Sequence, residues 1–231
     1  MILAAGRGER MRPLSDACPK PLLEVGGKPL IVWQIEALAR AGFRDIVVNA
    51  AHRAEQLVAA LGDGAAFGVS LRWSLEPVAY ETAGGIATAL HLIAPGPFLV
   101  VSADIHTDFD YASLLPRAAA MAQDAALPRA HLVMVPTSAR HPAGDFFLAD
   151  GMLREEGGEK LVYGNIALHD TALFAELKPR TRIKLLPLWQ DWIAHGLVSG
   201  ERHDGGWTNV GTPADLAQLD AALRRGNKPA A

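Results

Sequence analysis

The chain switches hydrophobic period again and again, and that alternation limits its fold more than any other feature. Short aliphatic runs from Asp45 to Asn49, Ser70 to Leu75 and Phe98 to Val101 read as strands. Around them, residues 30 to 41, 53 to 61 and 86 to 93 carry apolar positions three and four apart and stop at Gly42, Gly62 and Pro95, as helices do. The small run Thr82-Ala83-Gly84-Gly85 precedes the last of these. Strands and helices in turn build βαβ units, so the expected fold is α/β: a three-layer, Rossmann-like arrangement on a mostly parallel mixed sheet.

Past residue 127 the rhythm changes. His131 to Val135, Asp145 to Leu148 and Tyr163 to Leu168 read as strands with little helix between them, until Thr171 to Phe174 and residues 185 to 195 turn helical. Gly205 to Pro213 reads as a strand running into a helix, with Thr212 as N-cap and Pro213 at the first helical position. One domain over 1–225 is expected, with a nucleotide-binding half at 1–127, a sugar-binding half at 128–225 and a tail at 226–231. At 231 residues and 50% hydrophobic content, one substantial core suffices.

In parallel sheets ligands sit where strands end at their carboxyl side. The first aliphatic run ends there in Ala4-Ala5-Gly6-Arg7-Gly8-Glu9-Arg10, where glycines let backbone approach a ligand. Arg7, Arg10, Arg12 and Lys20 follow with few acids to neutralise them, so the loop suits a dense negative charge such as a triphosphate. The glycine spacing alone fits a solvated basic loop equally well, and it lacks both the third glycine of a dinucleotide fingerprint and the Gly-Lys-Ser/Thr of a P-loop. Asp104 directly follows another aliphatic run and is presented at the same sheet edge. Such a carboxylate suits a Mg²⁺ ion, which takes one or two carboxylates and completes its shell with substrate phosphates, although helix capping is an open alternative.

Taken whole, Leu3-Ala4-Ala5-Gly6-x-Gly8-x-Arg10-Met11-x-Pro13, with Pro19-Lys20-Pro21-Leu22 close behind, resembles the signature of the sugar-1-phosphate nucleotidyltransferases. The resemblance covers nearly the whole chain. It implies attack of a sugar-1-phosphate oxygen on the α-phosphorus of a nucleoside triphosphate, with pyrophosphate leaving and no covalent protein nucleophile. Ala5 and Gly6 would then belong to the nucleotide site, Gly8, Glu9 and Arg10 would grip the β- and γ-phosphates and Lys20 the α-phosphate, with Arg10, Lys20 and Asp104 as the catalytic set. Asp104 and Asn209 would hold the metal. Here the chain departs from the family pattern, with Asn209 where an aspartate is usual and Ser102-Ala103 where Asn-Gly precedes the metal aspartate.

Glu76, Thr82, Gly84 and Gly85 match the region where relatives hold the base. A carboxylate at Glu76 can accept the N3–H of uracil or the N1–H of guanine but cannot pair with the acceptor N3 of cytosine; the residue reads equally as a solvated loop acid. For the sugar and its phosphate the resemblance points to Ser102, Asp145, Glu155, Asn165 and Lys184, with Lys160 a rival for Lys184. The favoured substrates are UTP and N-acetylmuramate-1-phosphate, as in peptidoglycan recycling. Guanylyl transfer to mannose-1-phosphate and thymidylyl transfer to glucose-1-phosphate are the alternatives, and a low-turnover nucleotide-sugar sensor is the reading from another class.

Charge and cysteine content exclude other partners. A net charge of −3 gives no basic field for nucleic acid. Cys18 is the only cysteine, no Cys/His spacing suits zinc, and nothing reads as a leader or a membrane span, so a cytoplasmic location is expected.

Overall fold

The computed structural model describes residues 1–139 and 141–226, so the tail expected at 226–231 lies, after Gly226, outside the described residues. In chain order the first strands and helices are β1 (Ile2–Leu3), α1 (Leu14–Ala17), β2 (Glu24–Val25), β3 (Lys28–Pro29), α2 (Leu30–Arg40), β4 (Asp45–Ala50), α3 (Ala54–Leu61), β5 (Ser70–Leu75) and α4 (Glu81–Ala89). Next come β6 (Pro97–Ser102), β7 (Ile105–Thr107), α5 (Leu115–Gln123), β8 (Ala130–Val135), β9 (Phe146–Ala149), β10 (Met152–Arg154) and β11 (Glu159–Asp170). The chain closes with α6 (Leu186–Ala194), β12 (Val198–Arg202), β13 (Trp207–Asn209) and α7 (Pro213–Gly226). None of the described helices is long and apolar enough to cross a membrane.

The chain forms two compact units. One comprises Ile2–Ala79, Ser102–Asp108 and the segment from Gly206 onward; the other comprises Met1, Tyr80–Val101 and Phe109–Gly205. We call them the loop unit and the aromatic unit.

The loop unit carries the βαβ pattern. Strand β4 pairs in parallel with β1 and with β5, with Leu3 opposite Asn49 and Ala50 opposite Leu75. The three strands therefore end together, and Ala4, Asn49 and Glu76 share their carboxyl edge. Helix α2 packs through its apolar stripe of Leu30, Ile31, Ile35 and Leu38, all buried. It stops because Gly42, at φ 94°, takes the left-handed conformation that closes a helix C-terminus. Ala103 N–H bonds to Leu3 C=O at 3.0 Å, and β7 then pairs antiparallel with β13, placing Ile105 opposite Asn209. Helix α7 begins as expected: Thr212 Oγ1 accepts from Asp215 N–H, while Asp215 Oδ2 accepts from the N–H groups of Gly211 and Thr212.

The aromatic unit is built differently. Strand β11 runs antiparallel to β6, β8 and β9, whereas β12 runs parallel to β8. The sheet is thus mixed, and the mostly parallel expectation holds only for the β1, β4 and β5 set. Sheet packing here rests on Phe98, Phe146, Tyr163, His169, Phe174, Trp189 and Trp192, whose rings meet edge to face or stacked. Within this unit, α5, whose stripe is mostly alanine, and the short strands β10 and β12 were not anticipated from sequence.

One boundary is corrected. Thr82, Gly84 and Gly85 do not precede the helix but form its first turns, because α4 starts at Glu81. Glu81 itself sits at φ 62°, so the chain turns sharply into the helix one residue before the small run.

Candidate active site

The glycine loop owes its shape to a few enforced contacts. Gly8 has φ 66° and ψ 44°, and a Cβ there would lie 3.0 Å from Lys20 Cβ, so both conformation and space require glycine. Its carbonyl accepts from Met11 N–H at 2.9 Å and from the Ser15 hydroxyl at 2.8 Å, closing a tight turn over Glu9–Met11. The buried Met11 anchors that turn in a cluster with Leu23, Val25, Leu30, Val210 and Leu219. Glu9 and Arg10 remain exposed. A Cβ on Gly211 would lie 3.3 Å from Arg10 Nη2, so the guanidinium rests over bare backbone of the segment that ends β13.

Lys20 opens a short turn after Pro19 and is buried, and its ammonium donates to Asp104 Oδ2 in an ion pair. Asp104 follows β6, and its carbonyl accepts from Val210 N–H at 2.9 Å. The residue before Val210 is Asn209, whose Oδ1 is buried and has no hydrogen-bond partner. An orphaned buried acceptor costs free energy unless something supplies positive charge or a donor. Asp104 and Asn209 thus offer two hard oxygen donors on neighbouring backbone. Among the described residues no group of three His, Cys, Asp or Glu side chains could hold a metal. Two oxygens fit a cation that draws its remaining ligands from phosphate and water, and do not fit one needing a cage built by the protein alone.

Glu76 is not the solvated acid that its loop position allowed. It is 3% exposed, its N–H bonds to Ala50 C=O, and its Oε1 accepts from Asn49 Nδ2 at 2.7 Å. Asn49, also 3% exposed, accepts Ala4 N–H at its Oδ1 at 2.9 Å. The sequence reading missed Asn49, although the cue used for Asp104 applies to it too: a polar side chain near the end of an aliphatic strand. Gly211 and Ser15 were missed as well, and no local pattern marks them.

The loop unit contains Ala5, Gly6, Gly8, Glu9, Arg10, Lys20, Glu76, Ser102, Asp104 and Asn209, and direct contacts link Gly8 to Lys20 and Lys20 to Asp104. The remaining expected residues belong to the aromatic unit. Gly84 and Ala83 donate their N–H groups to Ile183 C=O, both at 3.1 Å, and a Cβ on Gly84 would fall 2.0 Å from Thr181 carbonyl oxygen. The close approach that Gly84 permits is thus made by the chain's own 181–183 segment. Asp145 Oδ2 accepts from Tyr163 N–H at 2.8 Å, and Glu155 is exposed beyond β10. Asn165 stands at φ 60° where the pairing of β11 with β8 shifts register between Tyr163 and Ala167. Lys184 is exposed just before α6, and its rival Lys160 lies over the Phe147 ring, 5.1 Å from its centroid.

A glycine turn with exposed arginine, a lysine paired to an aspartate at the sheet edge, and a βαβ core define a nucleotide-handling α/β enzyme. The chain belongs to the nucleotidyl transferase family, whose model matches residues 1–142. It is 43% identical over 225 residues, 96% of each chain, to a protein of Neisseria meningitidis serogroup B named N-acetylmuramate alpha-1-phosphate uridylyltransferase. A Caulobacter vibrioides protein of the same name is 36% identical over 233 residues, again 96% of each. Among solved structures, one described as a glucose-1-phosphate thymidylyltransferase from Bacillus anthracis with sucrose superposes with a TM-score of 0.84. That match covers 99% of this chain and 96% of the other at 22% identity, a likeness of fold.

Proposed function

We propose that this enzyme transfers a uridylyl group from UTP to N-acetylmuramate-1-phosphate, releasing pyrophosphate. The observation that carries the reaction class is the ion pair of the buried Lys20 with Asp104 beside the Gly8 turn. The substrate assignment rests on relatives of that name that align with nearly the whole chain. Three-layer Rossmann-like packing, a nucleotide-binding half at 1–127 and a sugar-binding half at 128–225 belong to the same reading, as do a cytoplasmic setting and peptidoglycan recycling.

The chemistry asks for positioning and charge neutralisation. An oxygen of the sugar phosphate attacks the α-phosphorus, the bond to the bridging oxygen breaks, and the electron pair leaves with pyrophosphate. No protein nucleophile is needed. Backbone N–H groups of Gly8 and Glu9, with Arg10, hold the β- and γ-phosphates. Lys20 meets the α-phosphate, where charge builds as the new bond forms. To reach it, the ammonium leaves Asp104. A Mg²⁺ ion held by Asp104 and Asn209 would supply the balancing positive charge when bound. Glu76 accepts the uracil N3–H, with Thr82, Gly84 and Gly85 on the base side. Ser102, Asp145, Glu155, Asn165 and Lys184 serve the sugar and its phosphate.

The test is pyrophosphate release by the purified protein across a matrix of triphosphates and sugar-1-phosphates. UTP with N-acetylmuramate-1-phosphate is expected to give the highest kcat/KM. Faster turnover of GTP with mannose-1-phosphate, or of dTTP with glucose-1-phosphate, would replace the substrate assignment. Tight nucleotide-sugar binding without turnover in any combination would favour the sensor.

A further inference from the structure

We infer that Asn49 is a positioning residue that sets base selectivity, by fixing Glu76 as a hydrogen-bond acceptor in register with the start of the phosphate loop. The inference rests on the proposed pairing of Glu76 with the base. Two groups at the carboxyl edge of β1 and β5, Ala4 N–H and the Glu76 carboxylate, are joined by the side chain of Asn49 on β4. Ala4 N–H, the first backbone donor beyond β1, can only donate, so the Asn49 oxygen must face it. Glu76, as a carboxylate, can only accept, so the Asn49 NH₂ must face it. Both neighbours therefore force the same orientation of the carboxamide, with bonds of 2.9 and 2.7 Å.

Asn49 and Glu76 are buried, so neither bond is readily exchanged for water. The consequence for Glu76 is specific. A donor clamped on Oε1 fixes the plane of the carboxyl group and so the direction of the second oxygen. An acceptor held in that way suits a ring N–H, as in uracil, and opposes the acceptor N3 of cytosine. The Ala4 bond holds this acceptor in register with Ala4-Ala5-Gly6, so base and triphosphate are gauged from one side chain.

Asn49→Asp separates the two bonds. Aspartate still accepts Ala4 N–H, but it turns an oxygen toward the Glu76 carboxylate, and two like charges in a buried pair repel. We expect the UTP-over-CTP ratio of kcat/KM to fall about tenfold or more, the size of a lost charge-assisted hydrogen bond, with the loss in KM rather than kcat. Adding Glu76→Gln should restore most of the ratio. The amide of the introduced glutamine would donate to the introduced aspartate, and its carbonyl would present the acceptor again. A role confined to strand packing would not produce that rescue.

Glu76→Ala and melting temperatures complete the set. If Glu76→Ala keeps the UTP-over-CTP ratio, the base reading fails and the inference with it. If Glu76→Ala loses the ratio while Asn49→Asp keeps it, the base reading stands and the inference is wrong. Should Asn49→Asp alone not fold, the double variant decides: a folded protein with the ratio restored supports the clamp, and one without it overturns the clamp.

Discussion

The two compact units place their buried polar groups in different surroundings. In the loop unit several such groups are paired around the glycine loop and the strand ends: Lys20 with Asp104, Asn49 with Glu76, and Ser15 with the Gly8 carbonyl. In the aromatic unit they are embedded in the packing. His169 is wholly buried among rings, accepts Trp189 Nε1–H at 3.2 Å and leaves its Nδ1 without a partner. His131 bridges Ser199 at 2.9 Å and Glu201 at 3.3 Å. The first arrangement gathers charge at the edge of a sheet, where the proposed reaction would use it. The second stabilises a sheet, so substitutions in the two units should fail in different assays.

The largest effect is expected at Lys20. Lys20→Ala removes the donor proposed for the α-phosphate and leaves Asp104 without its ammonium, so kcat should fall by roughly 10²–10³, the range for a preorganised transition-state donor. Arg10→Ala should instead raise KM for UTP. Steady-state kinetics with calorimetric nucleotide titration separates the two. Near-normal kcat for Lys20→Ala would remove the contrast between the units.

Glycine substitutions sharpen the contrast next. Gly84→Ala puts a Cβ against the Thr181 carbonyl, so the start of α4 or the 181–183 segment must move, at a cost of about 1–3 kcal/mol. Around Gly6 a Cβ would meet nothing within 4 Å. Gly6→Ala should therefore leave urea unfolding almost unchanged while weakening nucleotide binding. Equal destabilisation by both changes would contradict this division.

The same division explains what could be read from residues alone. The turn of the loop was legible because a left-handed Gly8 and a Pro-Lys-Pro turn are local constraints, whereas its phosphate-binding role came only from the resemblance and the Met11 anchor was not read. Strand and helix periods placed α2, β4, α3 and β5 to within a residue or so for the same reason. The Asn49–Glu76 link was hidden because it joins strand ends 27 residues apart, and no periodicity encodes that bond. In the aromatic unit, β11 is one strand of twelve residues, of which the aliphatic pattern marked only Tyr163 to Leu168. Its first part, Glu159-Lys160-Leu161-Val162, alternates weakly because pairing with β9 leaves Glu159 and Lys160 exposed. The turn of Ala83 and Gly84 toward Ile183 likewise depends on a segment about a hundred residues later in the chain.

A smaller effect concerns pH and belongs to the aromatic unit. Burial lowers the His169 pKa to about 3 and also lowers that of His131. Both values lie below that of an unfolded histidine, about 6.5, so the unfolded chain binds protons that the native state refuses. Stability is therefore complete above pH 6.5 and falls as pH drops toward the folded values, by up to about 1.4 kcal/mol per pH unit for each ring. His169→Phe keeps an aromatic ring and removes one titration. Urea unfolding between pH 6.5 and 5 should show a shallower slope for the variant, and an unchanged slope would mean that His169 is not a neutral buried ring.

The finest distinction lies at Asn209, whose buried Oδ1 has no hydrogen-bond partner. Asp104 carries a charge and Asn209 only a dipole, so a divalent ion there must be neutralised largely by phosphates present only in the complex. Magnesium should bind the free protein weakly and more tightly with UTP present, and linkage requires UTP affinity to rise by the same factor. Asn209→Asp adds a second carboxylate beside Asp104, with opposite consequences in the two states. Without metal the added charge repels Asp104, which already shares one ammonium from Lys20, so the variant should melt below the wild type in EDTA. With magnesium that repulsion becomes attraction. The variant should then recover more melting temperature than the wild type and reach half-maximal rate at a magnesium concentration lower by about threefold to tenfold, roughly 1 kcal/mol. Asp104→Asn should lose nearly all turnover under both conditions. If Asn209→Asp melts alike in EDTA and magnesium and needs as much magnesium as the wild type, Asp104 and Asn209 do not share a cation, and the unmatched oxygen of Asn209 must serve a different donor.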